Sequence, residues 1–145
     1  MAYKGIYKPT HPEKYIGDVN NIIWRSTWEK TFLSYCDLNE SILEYSSEEI
    51  SIPYFDPTTN RMRRYFPDVY IKVKDIDGKI KKYLIEIKPK RQTVPPQKPQ
   101  RQSKKYLNEV YMYAKNEAKW KAAKEFCKDN GWEFKIITEN ELGIR

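Results

Sequence analysis

Histidine and cysteine are nearly missing from this chain of 145 residues. His11 stands alone, and Cys36 and Cys127 form no CxxC pair. That excludes a zinc finger, a histidine-rich metal site, a histidine-based catalytic triad and a disulfide scaffold. Two isolated cysteines suit a reducing compartment. No apolar run approaches the roughly 18 residues of a membrane span, so no membrane partner is expected. The opening Met1-Ala2-Tyr3-Lys4-Gly5 leads into polar sequence and has no signal-peptide pattern. Internal repeats are missing too. Chemistry is left to carboxylates, lysines, arginines and hydroxyls.

Aromatics are plentiful: 12 Tyr, 5 Phe and 4 Trp within a hydrophobic fraction of 39%. That is too rich for a disordered tail, and the length fits one domain over residues 1–145. The net charge of +7 is unevenly spread. Residues 1–60 hold 5 basic and 9 acidic side chains, residues 61–105 hold 15 and 4, and residues 106–145 hold 7 and 7. The middle third carries the positive field, and a polyanion is the expected partner. The competing reading is a solvated basic sheet edge that discourages aggregation.

Residues 1–23, with Pro9, Pro12 and Gly17, read as an irregular lead-in. A helix is expected from Ser26-Thr27-Trp28-Glu29, where Ser followed three residues later by Glu is a capping box, to about Leu38-Asn39. A short strand follows at Glu49–Tyr54, then turn chemistry at Asp56-Pro57-Thr58-Thr59-Asn60. Two strands, Arg63–Lys74 and Lys79–Lys88, flank a hairpin turn at Asp75-Ile76-Asp77-Gly78. Four prolines make residues 89–101 a loop. A long helix runs from about Ser103 to Asn130, its apolar stripe passing through Tyr106, Val110, Tyr113, Ala114, Trp120, Ala123 and Phe126, and Asn130-Gly131 ends it. Trp132–Thr138 is a last strand. The order helix, three strands, helix, strand is that of a small α/β domain with a central mixed sheet flanked by helices.

The hairpin carries the candidate chemistry. Val69, Ile71, Val73, Tyr83, Ile85 and Ile87 are apolar and odd-numbered, whereas Asp68, Glu86 and Lys88 are even and point to the other face. A three-residue loop with Gly78 in the left-handed position pairs 75 with 79, and therefore 68 with 86. Directly opposed residues have Cβ atoms about 4.5–5.5 Å apart, and like charges there repel. A hard divalent cation such as Mg²⁺ neutralises such a pair, because it takes carboxylate and phosphate oxygens. Lys88 shares the face and is placed to hold a water or to stabilise charge on a phosphate. Singly, Asp68 reads as strand-start polarity, Glu86 and Lys88 as an exposed ion pair, and Glu29 as a capping acid. Together with the basic surroundings they favour a metal site.

Pro67-Asp68 followed by Glu86-Ile87-Lys88 resembles the PD-(D/E)xK nuclease signature. Ile52-Pro53-Tyr54-Phe55-Asp56-Pro57, Arg63-Arg64-Tyr65-Phe66-Pro67-Asp68 and Leu84 through Lys90 resemble the endonuclease subunit of heteromeric transposases. A fuller resemblance adds the Met-Ala-Tyr start, Arg25 through Lys30, Asn108 through Tyr113 and Lys119 through Ala123. It covers about the whole chain and is to the head completion nucleases of T-even-type tailed phages. That resemblance implies a restriction-endonuclease-like core and a Mg²⁺-dependent DNA endonuclease, with Mn²⁺ substituting, in phage head completion after DNA packaging. Asp68, Glu86, the main-chain carbonyl of Ile87 and Glu29 would be metal ligands, and Lys88 the catalytic lysine. Gln102-Ser103-Lys104-Lys105-Tyr106 fits a Gln-x3-Tyr element of related nucleases only in spacing and is assigned no catalytic role. Double-stranded DNA would be held by Arg61, Arg63, Arg64, Lys90, Arg91, Arg101, Lys104 and Lys105 through its phosphates. Portal, neck or other head completion proteins are the expected protein partners. The place of action would be the host cytoplasm during phage assembly, with association with the virion left open. Two alternatives stand beside this reading: a structural DNA-binding or connector protein that keeps the nuclease fold, and a transposition-type endonuclease subunit.

Overall fold

A computed structural model describes residues 4–143. A short antiparallel pair, β1 (Gly5–Ile6) and β2 (Ile23–Trp24), leads to α1 (Thr27–Leu38). Strands β3 (Ile42–Ser47), β4 (Ile52–Asp56), β5 (Arg61–Tyr65), β6 (Val69–Lys74) and β7 (Ile80–Ile87) follow. The long helix α2 (Lys104–Asn130), strand β8 (Glu133–Ile137) and the one-turn helix α3 (Glu139–Leu142) complete the described residues.

The central sheet is mixed, in the order β3-β6-β7-β8. β3, β6 and β7 are antiparallel neighbours and β8 runs parallel to β7, so the connection between those two needs a crossover, which α2 supplies. Helix, three sheet strands, helix and strand is the expected order, but with different membership. The first sheet strand is β3, which the sequence reading passes over. The expected strand at Glu49–Tyr54 is instead β4, paired with β5 in a separate hairpin. The expected continuous run Arg63–Lys74 is two strands broken at Phe66-Pro67-Asp68, because proline has no N–H for the ladder. Asn60, at φ +56, makes the tight β4–β5 turn, a conformation that asparagine tolerates.

Both faces of the sheet are covered. Val69, Ile71 and Ile85 pack with Phe32, Leu33 and Cys36 of α1. Tyr70 and Leu84 pack on the opposite side with Trp120, Ala123 and Cys127 of α2 and with Ile52, Tyr54 and Tyr65 of the β4–β5 hairpin. The even-numbered face is therefore not the solvated face that its polar residues suggest.

The lead-in is irregular for most of its described length, yet it belongs to the core. Ile22 is fully buried, and Tyr15 packs edge-on against Tyr45. Asp37, fully buried in the last turn of α1, accepts hydrogen bonds from the Thr10 and His11 amides at 2.9 and 3.2 Å and from the Tyr45 hydroxyl at 3.0 Å. Lys14 Nζ donates to the carbonyls of Cys36, Asp37 and Asn39 at 2.6, 2.9 and 2.9 Å. Carbonyls at a helix C-terminus lack intrahelical partners, and a cation there is also favoured by the helix dipole. One carboxylate and one lysine thus fasten the lead-in to α1.

The limits of α2 are as expected: Ser103 caps it, accepting from the Tyr106 amide at 3.2 Å, and Gly131 ends it at φ +71. Its stripe is not. Burial falls on Asn116, Trp120, Ala123 and Cys127, while Val110 and most of the first half are exposed. That half lies across a cavity from residues 91–96 of the proline-rich loop, and its Tyr113 packs against the core cluster.

Replacing Asp37 by Ala strands the buried Tyr45 hydroxyl and releases the Thr10 and His11 amides. The variant is expected to be about 2 kcal/mol less stable, read as a lower urea midpoint with an unchanged slope.

Candidate active site

The β6–β7 register is the one expected from the turn. Lys74 pairs with Ile80, Lys72 with Lys82 and Val69 with Ile85, so Asp68 falls opposite Glu86 one step beyond the ladder. Gly78 sits at φ +80, and the Asp75 amide donates to the Lys79 carbonyl at 2.9 Å. Asp68, Glu86 and Lys88 share the face that α2 covers.

Asp68 is half-buried and Glu86 buried. Asp68 Oδ2 accepts from the Ile87 amide at 2.7 Å, and Trp120 Nε1 of α2 donates to Glu86 Oε2 at 3.4 Å. Burial, then the charge of Glu86, push the Asp68 carboxyl well above its ordinary value; the Ile87 hydrogen bond opposes them. Of the Ile87 peptide, the N–H is thus already spent on Asp68. Lys88 is half-buried, with its amide donating to the Ile137 carbonyl at 3.0 Å.

Glu29 arrives from α1. The Glu29 amide donates to Ser26 Oγ at 3.1 Å, but its carboxylate accepts from the Arg25 amide at 3.4 Å. Only the serine half of the expected capping box forms. Arg25 forms an ion pair with Glu48, whose amide donates to the Asp68 carbonyl at 3.1 Å, and this brings the start of α1 to the start of β6. Glu29 is buried, and burial is the main reason its carboxyl is raised, with a smaller push from Glu86. Its Oε1 has no hydrogen-bond partner. Among the described residues no three His, Cys, Asp or Glu side chains form a group able to hold a metal, so Asp68 and Glu86 are a pair with Glu29 beside it.

Two further side chains face the pair. The buried Tyr65 hydroxyl of β5 makes no hydrogen bond, and burial with the Glu86 and Asp68 charges raises it strongly. Lys119 Nζ of α2 lies 5.6 Å from the Tyr65 ring centroid. Burial lowers its ammonium, Glu86 and Asp68 raise it, and Lys88 lowers it. Lys119 therefore brings a second cation to the carboxylates. The one sequence signal for it is its position next to the buried Trp120 and four residues after Lys115.

The expected DNA-binding residues separate into groups. Lys88, Arg91 and Lys105 converge on one cavity between the proline-rich loop and α2. Lys104 is exposed at the start of α2, as are Arg101 just before it and Lys90 in the loop. Arg61 and Arg64 are exposed on β5. Arg63 is not free: its Nε lies 3.1 Å from Asp56 Oδ2 and donates to Thr59 Oγ1 at 3.2 Å. Asp56 is buried at the end of β4, with Lys115 Nζ 3.7 Å away. Arg63 thus neutralises a buried acid and, with Lys115, ties the β4–β5 hairpin to α2.

Residues 39–139 match the family model described as TnsA-like endonuclease N terminal. The chain is 40% identical over 146 residues to the "Head completion nuclease" of Enterobacteria phage T4, covering 98% of this chain and 95% of that one. No solved structure matches.

Two outcomes follow from the charges. In EDTA, Asp68→Asn keeps the acceptor for the Ile87 amide and removes one of two opposed charges, so it is expected to gain about 0.5 kcal/mol, read as a melting temperature higher by one or two degrees. Asp56 is held at about 2, first by the Thr58 hydroxyl hydrogen bond. Its depressed value stabilises the fold above the ordinary carboxylate range, and that stabilisation is lost as pH falls toward 2. An acid titration of Asp56→Asn should show lower stability at neutral pH and a shallower loss below pH 4 than the unmodified chain.

Proposed function

The chain belongs to the TnsA-like endonuclease family, and from that premise we propose that it is a divalent-metal-dependent DNA endonuclease of phage head completion. The observation that carries this reading is the opposed pair of a half-buried Asp68 and a buried Glu86, on the face they share with Lys88 under α2. The donor set fits a hard cation: oxygen ligands only, with Glu29 Oε1 buried and unpartnered nearby. Asp68, Glu86, the Ile87 carbonyl and Glu29 would hold it, and Mg²⁺ is the expected ion with Mn²⁺ as substitute. A divalent ion bound there supplies charge neutralisation at the scissile phosphate and activation of water.

The chain's own residues do the rest. Lys88 donates to a phosphate oxygen or holds the attacking water on the face it shares with the carboxylates. Trp120 steadies Glu86, and the Ile87 amide steadies Asp68, so neither carboxylate swings away when its neighbour's charge repels it. Arg61, Arg64, Lys90, Arg91, Arg101, Lys104 and Lys105 contact phosphates without reading sequence. Residues 1–145 act as one nuclease domain, in the host cell during phage assembly. Other head proteins are natural partners.

Near end-to-end similarity to a head completion nuclease favours this role over a transposition-type subunit. The complete Glu29, Asp68, Glu86 and Lys88 set favours an enzyme over a purely structural head protein.

Supercoiled plasmid should be converted by the purified chain with Mg²⁺ or Mn²⁺ and left intact in EDTA. Asp68→Ala, Glu86→Ala and Lys88→Ala should each abolish conversion while circular dichroism shows a folded protein, and Lys88→Ala should still bind the ion. Cleavage in EDTA, or full activity of Asp68→Ala, contradicts the assignment. Duplex affinity should fall with salt at a log–log slope of about −0.9 per phosphate neutralised. Replacing Lys104 and Lys105 together should flatten that slope by roughly 1 to 2 on any sequence.

A further inference from the structure

Beside Lys88 lies a cavity of about 600 Å³ whose apolar walls have no part in the phosphate contacts proposed above. The proline-rich loop forms one wall with Val94 and Pro96, and the first half of α2 forms the other with Met112 and Tyr113. Lys88, Arg91 and Lys105 also line it, and buried Asn116 adds a carboxamide. Its volume falls in the range of pockets that enclose a ring system, with apolar walls and a few polar groups to orient it. Val94 and Met112 are half exposed, although both are large and apolar. Of the apolar residues on this half of α2, Met112 and Tyr113 line the cavity, and Tyr113 also packs against the core cluster.

The cations narrow the occupant. A ring that enters beside three basic side chains, one of them the candidate catalytic lysine, is best carried on a phosphate backbone. A nucleobase has the flat apolar faces to stack on Tyr113 and an edge that a carboxamide can pair with as both donor and acceptor. Glu109, the acidic member of the lining, can accept only from a donor, which base amino groups supply. In a duplex those faces are buried in the stack, so only an unpaired or extruded base can enter.

We propose that this cavity takes an unpaired base of the DNA backbone held at Lys88, so that the substrate is DNA with a single-stranded segment next to the cut. This rests on the endonuclease reading and adds a preference for DNA form, not sequence.

The test compares three labelled oligonucleotides by fluorescence anisotropy in EDTA, with gels checking that they stay intact. They are a blunt duplex, the same duplex with a natural single-stranded tail, and that duplex with an abasic tail of equal length. The natural tail should improve affinity about tenfold, the size of one base–aromatic stack, and the abasic tail should lose most of the gain. Tyr113→Leu and Val94→Glu should each shrink the ratio of natural to abasic tail toward one. Val94 lies in an exposed loop, so Val94→Glu serves if Tyr113→Leu misfolds. A natural tail no better than a blunt end, or an abasic tail as good as a natural one, overturns the proposal. Plasmid cleavage with Mg²⁺ by the same preparation reports separately on the endonuclease reading.

Discussion

Everything at the candidate site depends on the register of the β6–β7 hairpin. Side chains alternate faces along a strand, so a slip of one residue between β6 and β7 would put Asp68 on the opposite face from Glu86 and Lys88. Two independent devices hold it. Gly78 in its left-handed conformation sets the turn locally. Val69, Ile71 and Ile85 on one face, with Tyr70 and Leu84 on the other, set it through burial. A strand buried on both faces cannot slip without exposing apolar area and burying charge. The site inherits the rigidity of the hairpin and needs no mobile loop to assemble Asp68 opposite Glu86.

Burial has a cost that falls on the carboxylates. Asp68, Glu86 and Glu29 lie close together under α2 and the start of α1, where water screens little. The fold offsets the cost with few hydrogen bonds, and those few serve the pair: one amide for Asp68 and one indole N–H for Glu86. Glu29 Oε1 and the Tyr65 hydroxyl are left with none. Elsewhere the buried acids are better partnered. Asp37 has three donors; Asp56 Oδ1 accepts from Thr58, and its Oδ2, which has no hydrogen bond, is ion-paired with Arg63 and Lys115. The contrast between better-partnered acids at structural positions and under-partnered ones at Asp68, Glu86 and Glu29 separates scaffold from site. A group left in deficit is one that a cation would stabilise.

What could be read in the sequence follows from which interactions are local. The hairpin register was legible because alternation and turn type both act within twenty residues. So were the caps of α1 and α2, where Ser26, Ser103 and Gly131 act on their own neighbours. β3 was not legible, because Ile42-Leu43-Glu44-Tyr45-Ser46-Ser47 has neither strong alternation nor a flanking hairpin turn. It becomes a strand by pairing with β6. Arg63 looked like its neighbours in a basic run. Its ion pair with Asp56 follows from Arg63 sitting opposite Tyr54 on the side of the hairpin that faces α2. Lys119 and Tyr65 come to the carboxylates from separate elements, and no spacing within either element encodes that meeting. The capping box of α1 failed at its glutamate because the side chain that should return to Ser26 bonds Arg25 and lies beside Glu86.

The basic middle third also changes meaning once it is folded. Lys74, Lys79 and Lys81 sit at the turn end of the hairpin. About six residues of strand separate them from Asp68 and Glu86, or roughly 20 Å at 3.3 Å per residue. That exceeds the Debye length of about 8 Å in physiological salt, so their charge adds little to the field over the carboxylates. Lys82 lies over the Trp132 ring and Arg63 is committed to Asp56. The field at the site comes instead from Lys88, Lys119, Arg91 and Lys105, which converge from β7, α2 and the proline-rich loop. Three of these four, Lys88, Arg91 and Lys105, also line the cavity with the apolar walls. Charge and apolar surface are thus placed on one side of the carboxylates, where a backbone and its bases would lie together.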